Sequence, residues 1–254
     1  MSAPSSRPSI AELRAVTQPA SIFARNSGEH WAGRLYVRRV SPFLTRRLIG
    51  TRLTPNAVTW LMIAVGVAAA VLVALDGIAA ATGAVVLIQL QILLDCSDGE
   101  LARWRRQFSP VGIYLDRFGH YLTETLFPIA LGIRAGEPVL GLVAAVLALA
   151  VRTESALVAV ARLESGQARA EDTAAVAASR VSVLARLRSA VGVLPVFRAF
   201  VAMEFTLLAL AAAIVDAATG GHAGSSALVV ALVPIAAVTA VGHLVVIVTS
   251  SRLR

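Results

Sequence analysis

The stretch Asp95-Cys96-Ser97-Asp98-Gly99-Glu100-Leu101-Ala102-Arg103, continuing through Ser109-Pro110 to Gly112, Asp116 and His120, stands between two long apolar runs. Read as helix, it places Asp95, Asp98, Gly99 and Ala102 at i, i+3, i+4 and i+7, which is one face. Beyond a short turn, Gly112, Asp116 and His120 follow at i, i+4 and i+8, again one stripe. Two helices joined by so short a turn are antiparallel neighbours. Three carboxylates and an imidazole then converge near one end of the pair.

The surroundings of this stretch set the fold class. Of the 254 residues 57% are hydrophobic and 15% charged, and the mean hydropathy is +0.76. Counting glycine and leaving out tyrosine, the apolar share is about 63%, against about 45–50% in soluble domains. A water-soluble enzyme and a disordered chain are both excluded. With Cys96 the one cysteine, a disulfide framework and a cysteine zinc site are excluded too. A membrane span needs about 20 apolar residues as helix. Six such spans are expected: Ala57–Leu75, Ile78–Leu94, 110–134 with Pro110 in its first turn, 138–160, 195–215 and 226–249. The expected class is an all-α integral membrane protein, with no internal repeat of the inverted-transporter kind.

All 23 basic residues are arginine. Nine lie in residues 1–54, others cluster in 103–109, 162–198 and 250–254, and the intervening loops near 76–80, 134–138 and 217–225 hold only Arg134. The positive-inside rule therefore puts both termini in the cytoplasm of a cell whose inner (plasma) membrane holds the protein. The arginine-only basic set and the abundant alanine suggest a bacterial, GC-rich source. No apolar run in the first 54 residues resembles a signal-peptide core. Within them Trp31, Leu35, Tyr36 and Val40 recur at helical spacing among Arg34, Arg38 and Arg39. They read as an amphipathic helix on the membrane lipids. A nucleic-acid partner is not expected, because arginines before a span meet lipid phosphates and no nucleic-acid motif accompanies them. Three regions result: an Arg-rich segment at 1–54, a six-span domain at 55–250 and a tail at 251–254.

The acids demand a partner. Helix-end charges that reach water account for Glu100, Arg103, Arg105 and Arg106. Asp116 lies six positions past Pro110, about 9 Å along a helix, and its short stem does not reach water from there. An acid at that depth costs roughly 2.5–3.5 kcal/mol on insertion scales, and three acids without a cation repel one another. A divalent ion held by Asp95, Asp98 and Asp116 removes both problems, since carboxylate oxygens suit Mg²⁺ and Mn²⁺.

The pattern D-x2-D-G-x2-A-R-x8-G-x3-D-x3-D is the signature of the CDP-alcohol phosphotransferases, integral-membrane enzymes of phospholipid biosynthesis. This chain resembles that family at Asp95, Asp98, Gly99, Ala102, Arg103, Gly112 and Asp116, seven of eight fixed positions across residues 95–120. The stretch Thr54-Pro55-Asn56-Ala57-Val58-Thr59, the six-span layout and the amphipathic N-terminal helix are similar as well. The departure is His120, where the family carries a fourth aspartate that serves as metal ligand and proposed general base. Three readings stand: His120 accepts the proton of an alcohol, it ligates a softer ion such as Mn²⁺ or Zn²⁺, or one metal and the usual reaction are lost. Glu124 either orients His120 or pairs with an arginine such as Arg152.

The resemblance implies transfer of a substituted phosphate from CDP-diacylglycerol or another CDP-alcohol to an alcohol hydroxyl, with release of CMP. It implies two Mg²⁺ or Mn²⁺ ions, or one given His120, held by Asp95, Asp98, Asp116 and His120, with Asp116 and His120 catalytic. Asn56, Thr59, Gly99, Ala102, Arg103, Ser109 and Gly112 would line the nucleotide and diphosphate site, with helix capping the alternative for Asn56 and Ser109. Arg152, Arg162 and Arg198 are candidates for a basic acceptor site, or else membrane anchors. Glu154, Glu204 and His243 are polar residues inside spans, without an assigned role. A homodimer is usual in the family. The competing function is a relative that binds CDP-lipid or metal without normal turnover.

Overall fold

The computed structural model describes residues 8–19, 32–165 and 199–249. All of its regular elements among these residues are helical. In order they are α1 (Ile10–Thr17), a π-helical turn (Gly33–Val37) leading into α2 (Arg38–Ile49), α3 (Pro55–Ala74), α4 (Ile78–Arg105), α5 (Pro110–Arg134), α6 (Pro138–Glu164), α7 (Ala202–Thr219) and α8 (Ala223–Thr249). Five of them, α3, α4, α6, α7 and α8, are long and apolar enough to cross a membrane. The remaining expected span, α5, has 25 residues, about 37 Å of helix. It carries Asp116, Arg117, Glu124 and Arg134 spread along its length and is not among the helices apolar enough to be counted as spans.

Start and stop signals explain most boundaries. Proline opens α3, α5 and α6, where its missing N–H costs nothing. Thr54 Oγ1 accepts the Ala57 N–H at 3.2 Å and Ser109 Oγ the Gly112 N–H at 3.0 Å, each capping the helix that follows. The apolar run that begins at Ile78 does not stop at Asp95. Its helix continues unbroken to Arg105, so the acidic stretch is helical. The expected 195–215 span is shifted to Ala202–Thr219. Val201 is extended (φ −75°, ψ 134°), and Gly220 ends the helix in the left-handed region at φ 71°, its N–H bonded to the Asp216 carbonyl. Hydropathy alone registers neither event.

Two compact units make up the chain. The first comprises residues 1–68 and 86–120, and it includes the N-terminal elements. Trp31 of the expected amphipathic helix lies outside the described residues; Leu35, Tyr36 and Val40 are exposed, as is Phe43 one turn on, which suits an interfacial helix. Helix α1 was not anticipated. Ser9 and Glu12 form a capping box, Ser9 Oγ accepting the Glu12 N–H at 3.2 Å and Glu12 Oε2 the Ser9 N–H at 2.8 Å. The Ser9 N–H, and then its hydroxyl, hold the Glu12 carboxyl below its usual range. Farther in, α3 and α5 approach closely at Gly119, where a Cβ would meet Ile63 Cγ1 at 2.6 Å and Met62 Cε at 2.7 Å.

The second unit comprises residues 69–85 and 121–254. Small residues let its helix backbones come together, as lipid-embedded packing requires. A Cβ on Gly141 would lie 2.6 Å from the Pro128 carbonyl oxygen, and one on Gly224 would lie 2.4 Å from that of Ala212. Ala144, Ala145 and Ala148 of α6 are buried, as are Ala236 and Ala240 of α8. Phe127 and Phe205, both fully buried, stack with ring centroids 5.4 Å apart. Arg134, expected in an outer loop, is instead buried with its side chain 1% exposed, and Nη2 bonds Asp216 Oδ2 at 3.0 Å. The same carboxylate accepts the Gly224 N–H at 2.7 Å, the Ser225 N–H at 3.0 Å and the Ser225 hydroxyl at 2.5 Å. Asp216 thus caps α8 while neutralising a buried arginine.

Among the described residues, removing Asp216 leaves that buried arginine with only the exposed Asp76, 4.0 Å away, as a charge partner. Asp216→Ala is expected to cost about 3–5 kcal/mol, read as a fall in the thermal midpoint in detergent. Asp76→Asn, on a carboxylate 73% exposed and 4.0 Å from Arg134 Nε, is expected to change it little.

Candidate active site

The first unit carries the acidic stretch. Because α4 is continuous through it and α5 begins at Pro110, the two expected stripes lie on neighbouring helices. They bring three side chains together: Asp95, Asp116 and His120 each offer a ligand atom, and these atoms all lie within 4.8 Å of one another. His120 Nε2 is 3.2 Å from Asp95 Oδ1 and 3.5 Å from Asp116 Oδ1. The side chains are 31% (Asp95), 46% (Asp116) and 42% (His120) exposed. The cluster is therefore half-open to incoming groups.

Asp98 stands apart from this trio. It is buried, and its Oδ2 accepts the Thr59 hydroxyl at 2.6 Å. Thr59 Oγ1 also lies 3.2 Å from the Pro55 carbonyl of its own helix. Asn56 faces Ser109 across the helix starts, its Nδ2 3.4 Å from Ser109 Oγ. Gly112 sits between them, and a Cβ there would meet Asn56 Oδ1 at 2.9 Å. Asn56, Ser109 and Gly112 thus meet at the starts of α3 and α5, while Thr59 turns to Asp98. Ser109 takes the capping role that was its alternative reading.

Three expectations for the end of α4 are corrected. Glu100 does not extend to water: it is fully buried and accepts hydrogen bonds from Gln18 Nε2 at 2.8 Å, Ser41 Oγ at 2.5 Å and Thr45 Oγ1 at 2.6 Å. A buried carboxylate needs several donors, and the N-terminal segment supplies them. Arg105 is also engaged: its guanidinium donates to the carbonyls of Leu53 at 2.5 Å, Thr51 at 2.9 Å and Leu48 at 3.1 Å. It satisfies the carbonyl end of α2. Arg103 donates from Nε to the Thr17 carbonyl at 2.6 Å, and its terminal nitrogens lie over Gly99, 3.3 and 3.4 Å from where a Cβ would stand. Arg106 is exposed and adopts φ 54° in the turn toward α5. Ala102 is half-buried.

In the second unit Glu124 is bound by Arg152, whose Nε donates to Oε2 at 2.5 Å and whose Nη2 contacts Oε1. Of the two readings for Glu124, pairing with Arg152 is the arrangement observed. Arg162 lies in the last turn of α6, and Arg198 falls outside the described residues. Glu154 and His243 satisfy one another, Nδ1 to Oε2 at 2.7 Å. Neither this pair nor Arg134–Asp216 was anticipated, although each joins an acid to a basic side chain inside apolar helices.

The CDP-alcohol phosphatidyltransferase family model matches residues 52–251, most of the chain, and the chain belongs to that family. No curated protein matches it. Membership implies phosphatidyl transfer from a CDP-alcohol to an alcohol acceptor, in a membrane family that generally depends on divalent metal.

The Thr59–Asp98 contact is separable from the trio. Thr59→Val removes the one hydroxyl on a buried carboxylate and is expected to cost about 1–3 kcal/mol of stability. Thr59→Ser is expected to retain most of it, both read by thermal unfolding.

Proposed function

We propose that this member of the CDP-alcohol phosphatidyltransferase family transfers a substituted phosphate from CDP-diacylglycerol or another CDP-alcohol to an alcohol hydroxyl, releasing CMP, in phospholipid biosynthesis. The observation that carries the reading is the convergence of Asp95, Asp116 and His120 within 4.8 Å. Two carboxylates and an imidazole are a mixed oxygen and nitrogen donor set, which fits a small divalent ion such as Mg²⁺ or Mn²⁺. Asp95, Asp116 and His120 would hold it, with Asp98 a further ligand if its bond to Thr59 is exchanged. When bound, such an ion neutralises diphosphate charge and orients in-line attack.

The chain's own residues supply the rest. Arg103 offers charge-assisted hydrogen bonds to phosphate, and Gly99 and Ala102 keep the helix surface low enough for the diphosphate to approach. Asn56, Thr59, Ser109 and Gly112 would form the polar wall toward the nucleotide. The acceptor oxygen bonds to the phosphorus distal to cytidine, the bond from that phosphorus to CMP breaks, and CMP leaves with the electron pair. The hydroxyl proton passes to Asp116 or His120, the two most exposed members of the trio. The orientation of Nε2 toward both carboxylates suits a ligand role for His120; a nitrogen that holds an ion does not also accept a proton, and in that case Asp116 is the acceptor. A basic acceptor site would draw on Arg152, Arg162 and Arg198, although Arg152 is already paired with Glu124. The arginine distribution supports a plasma-membrane protein of six spans with both termini cytoplasmic, built as residues 1–54, 55–250 and 251–254, and family habit supports a homodimer.

A second reading rests on the same contact. An imidazole N–H at 3.2 Å from Asp95 partly satisfies the acids without an ion, so a protein that binds CDP-lipid but releases no CMP is the alternative.

CMP release from CDP-diacylglycerol, measured with a panel of alcohols in Mg²⁺ or Mn²⁺, tests the proposal. Asp116→Asn is expected to abolish release, and release that survives it would remove the metal argument. His120→Ala is expected to lower turnover by about 10²-fold or more, with His120→Asp restoring part of it. Binding without release by the wild type, for every acceptor, would favour the second reading.

A further inference from the structure

Helix α4 carries two stripes side by side. One holds Asp95, Asp98, Gly99 and Ala102. The other holds Cys96, Glu100 and Arg103 at i, i+4 and i+7, and every member of it engages the N-terminal segment. Cys96 packs in one buried cluster with Ala32 and Val37. Glu100 gathers Gln18 at the end of α1 together with Ser41 and Thr45, one turn apart on α2. Arg38 Nη1 stands 4.0 Å from the same carboxylate. Further bonds tie the segment to itself: Gln18 Nε2 donates to the Arg38 carbonyl at 2.9 Å, and Arg14 Nη2 to the Arg39 carbonyl at 2.9 Å. The adjoining Thr17 carbonyl receives Arg103 Nε at 2.6 Å.

We propose that Glu100 is a positioning residue: by fastening α1 and α2 to α4 it holds the Thr17 carbonyl where it orients the Arg103 guanidinium over Gly99, beside the acidic stripe. Arginine has a long, flexible stem, and using it as a phosphate clamp means fixing its plane beforehand. A bond from Nε to a main-chain carbonyl does this while leaving the Nη1 and Nη2 edge directed elsewhere. That carbonyl is only as well placed as the short helix carrying it. Helix α1 has eight residues, too few to stand alone in water, and Glu100 is the buried group that docks its end. The same bonds make the exposed apolar side chains of the segment, Leu35, Val40 and Phe43, part of one body with the site.

The proposal rests on the phosphate-binding role of Arg103 advanced under Proposed function, and its test separates the two. The full chain in lipid nanodiscs is assayed for amide exchange at residues 10–18, for affinity toward CDP-diacylglycerol and for Mn²⁺ affinity. Glu100→Ala is expected to speed that exchange about tenfold and weaken donor binding about tenfold, the scale of lost hydrogen bonds to a charged group. Mn²⁺ affinity is expected to stay within about twofold, because the trio is untouched. In an Arg103→Met background, Glu100→Ala is expected to cost less than about twofold in donor affinity, since its effect runs through that guanidinium. Glu100→Gln is expected to fall between wild type and alanine. Thr45→Val, which removes one donor and keeps the volume, reads the same linkage should the alanine variant not fold. Unchanged exchange in these variants, or a donor loss undiminished by Arg103→Met, overturns the proposal. A wild type that binds no CDP-diacylglycerol while Glu100→Ala still loosens residues 10–18 counts against the functional reading and leaves the fastening of the segment standing.

Discussion

A carboxylate taken out of water must find donors or a cation, and the first unit is arranged around that demand. Helix α4 places Asp95, Asp98 and Glu100 within six consecutive residues, and each is answered differently. Glu100 is met by three donors from the N-terminal segment, Asp98 by the Thr59 hydroxyl of α3, and Asp95 by His120 of α5. One helix is thereby cross-linked to each of its partners in the unit by its own acids. Apolar packing alone would not specify this arrangement, because in a lipid environment the helices gain little from burying one apolar face over another.

The division between what the sequence disclosed and what it hid follows from range. The spacing of Asp95 and Asp98, and of Asp116 and His120, is a property of single helices joined by a short turn, so the sequence suggested a four-membered cluster; three of its members converge, and Asp98 turns to Thr59 instead. The helix starts at Pro110 and Pro138 were legible as well, while the span expected from Ala57 begins two residues earlier, at Pro55. The docking of Glu100 was not legible, because its partners Gln18, Ser41 and Thr45 lie 82, 59 and 55 residues away. A short polar segment gives no periodicity that names its target. Helix α1 did carry a local signal, the Ser9–Glu12 capping box, which an arginine-rich stretch made easy to pass over. The fifth span slid because an apolar run marks membrane depth, whereas the helix ends are set by backbone conformation at Val201 and Gly220.

Gly99 and Gly112 show how a shared motif position acquires a local cause. Gly112 is small because Asn56 Oδ1 would meet its side chain at 2.9 Å. Gly99 is small because the guanidinium of Arg103 lies over it. Both glycines thus make room for side chains of the protein itself, on the surface proposed to receive a diphosphate. Arg103 and Arg105, two positions apart on α4, point this economy in different directions. Arg105 spends its donors on the carbonyls at the end of α2, while Arg103 commits Nε to Thr17.

Charge balance separates the trio from the other polar clusters among the described residues. In the second unit acids stand against basic side chains: Glu124 against Arg152, Asp216 against Arg134, Glu154 against His243. Around Asp95 and Asp116 one imidazole faces two carboxylates. Two carboxylates against one imidazole leave the cluster with an excess of negative charge, and like charges held this close repel one another more strongly away from bulk water than exposed ions do. Replacing the family's fourth aspartate by His120 lowers this excess by one and adds a nitrogen donor. A chain that tolerated the remaining imbalance for packing alone could have removed it with an asparagine. Retaining both aspartates, half-exposed and convergent, is what a site that recruits a cation requires and what a purely structural helix contact does not.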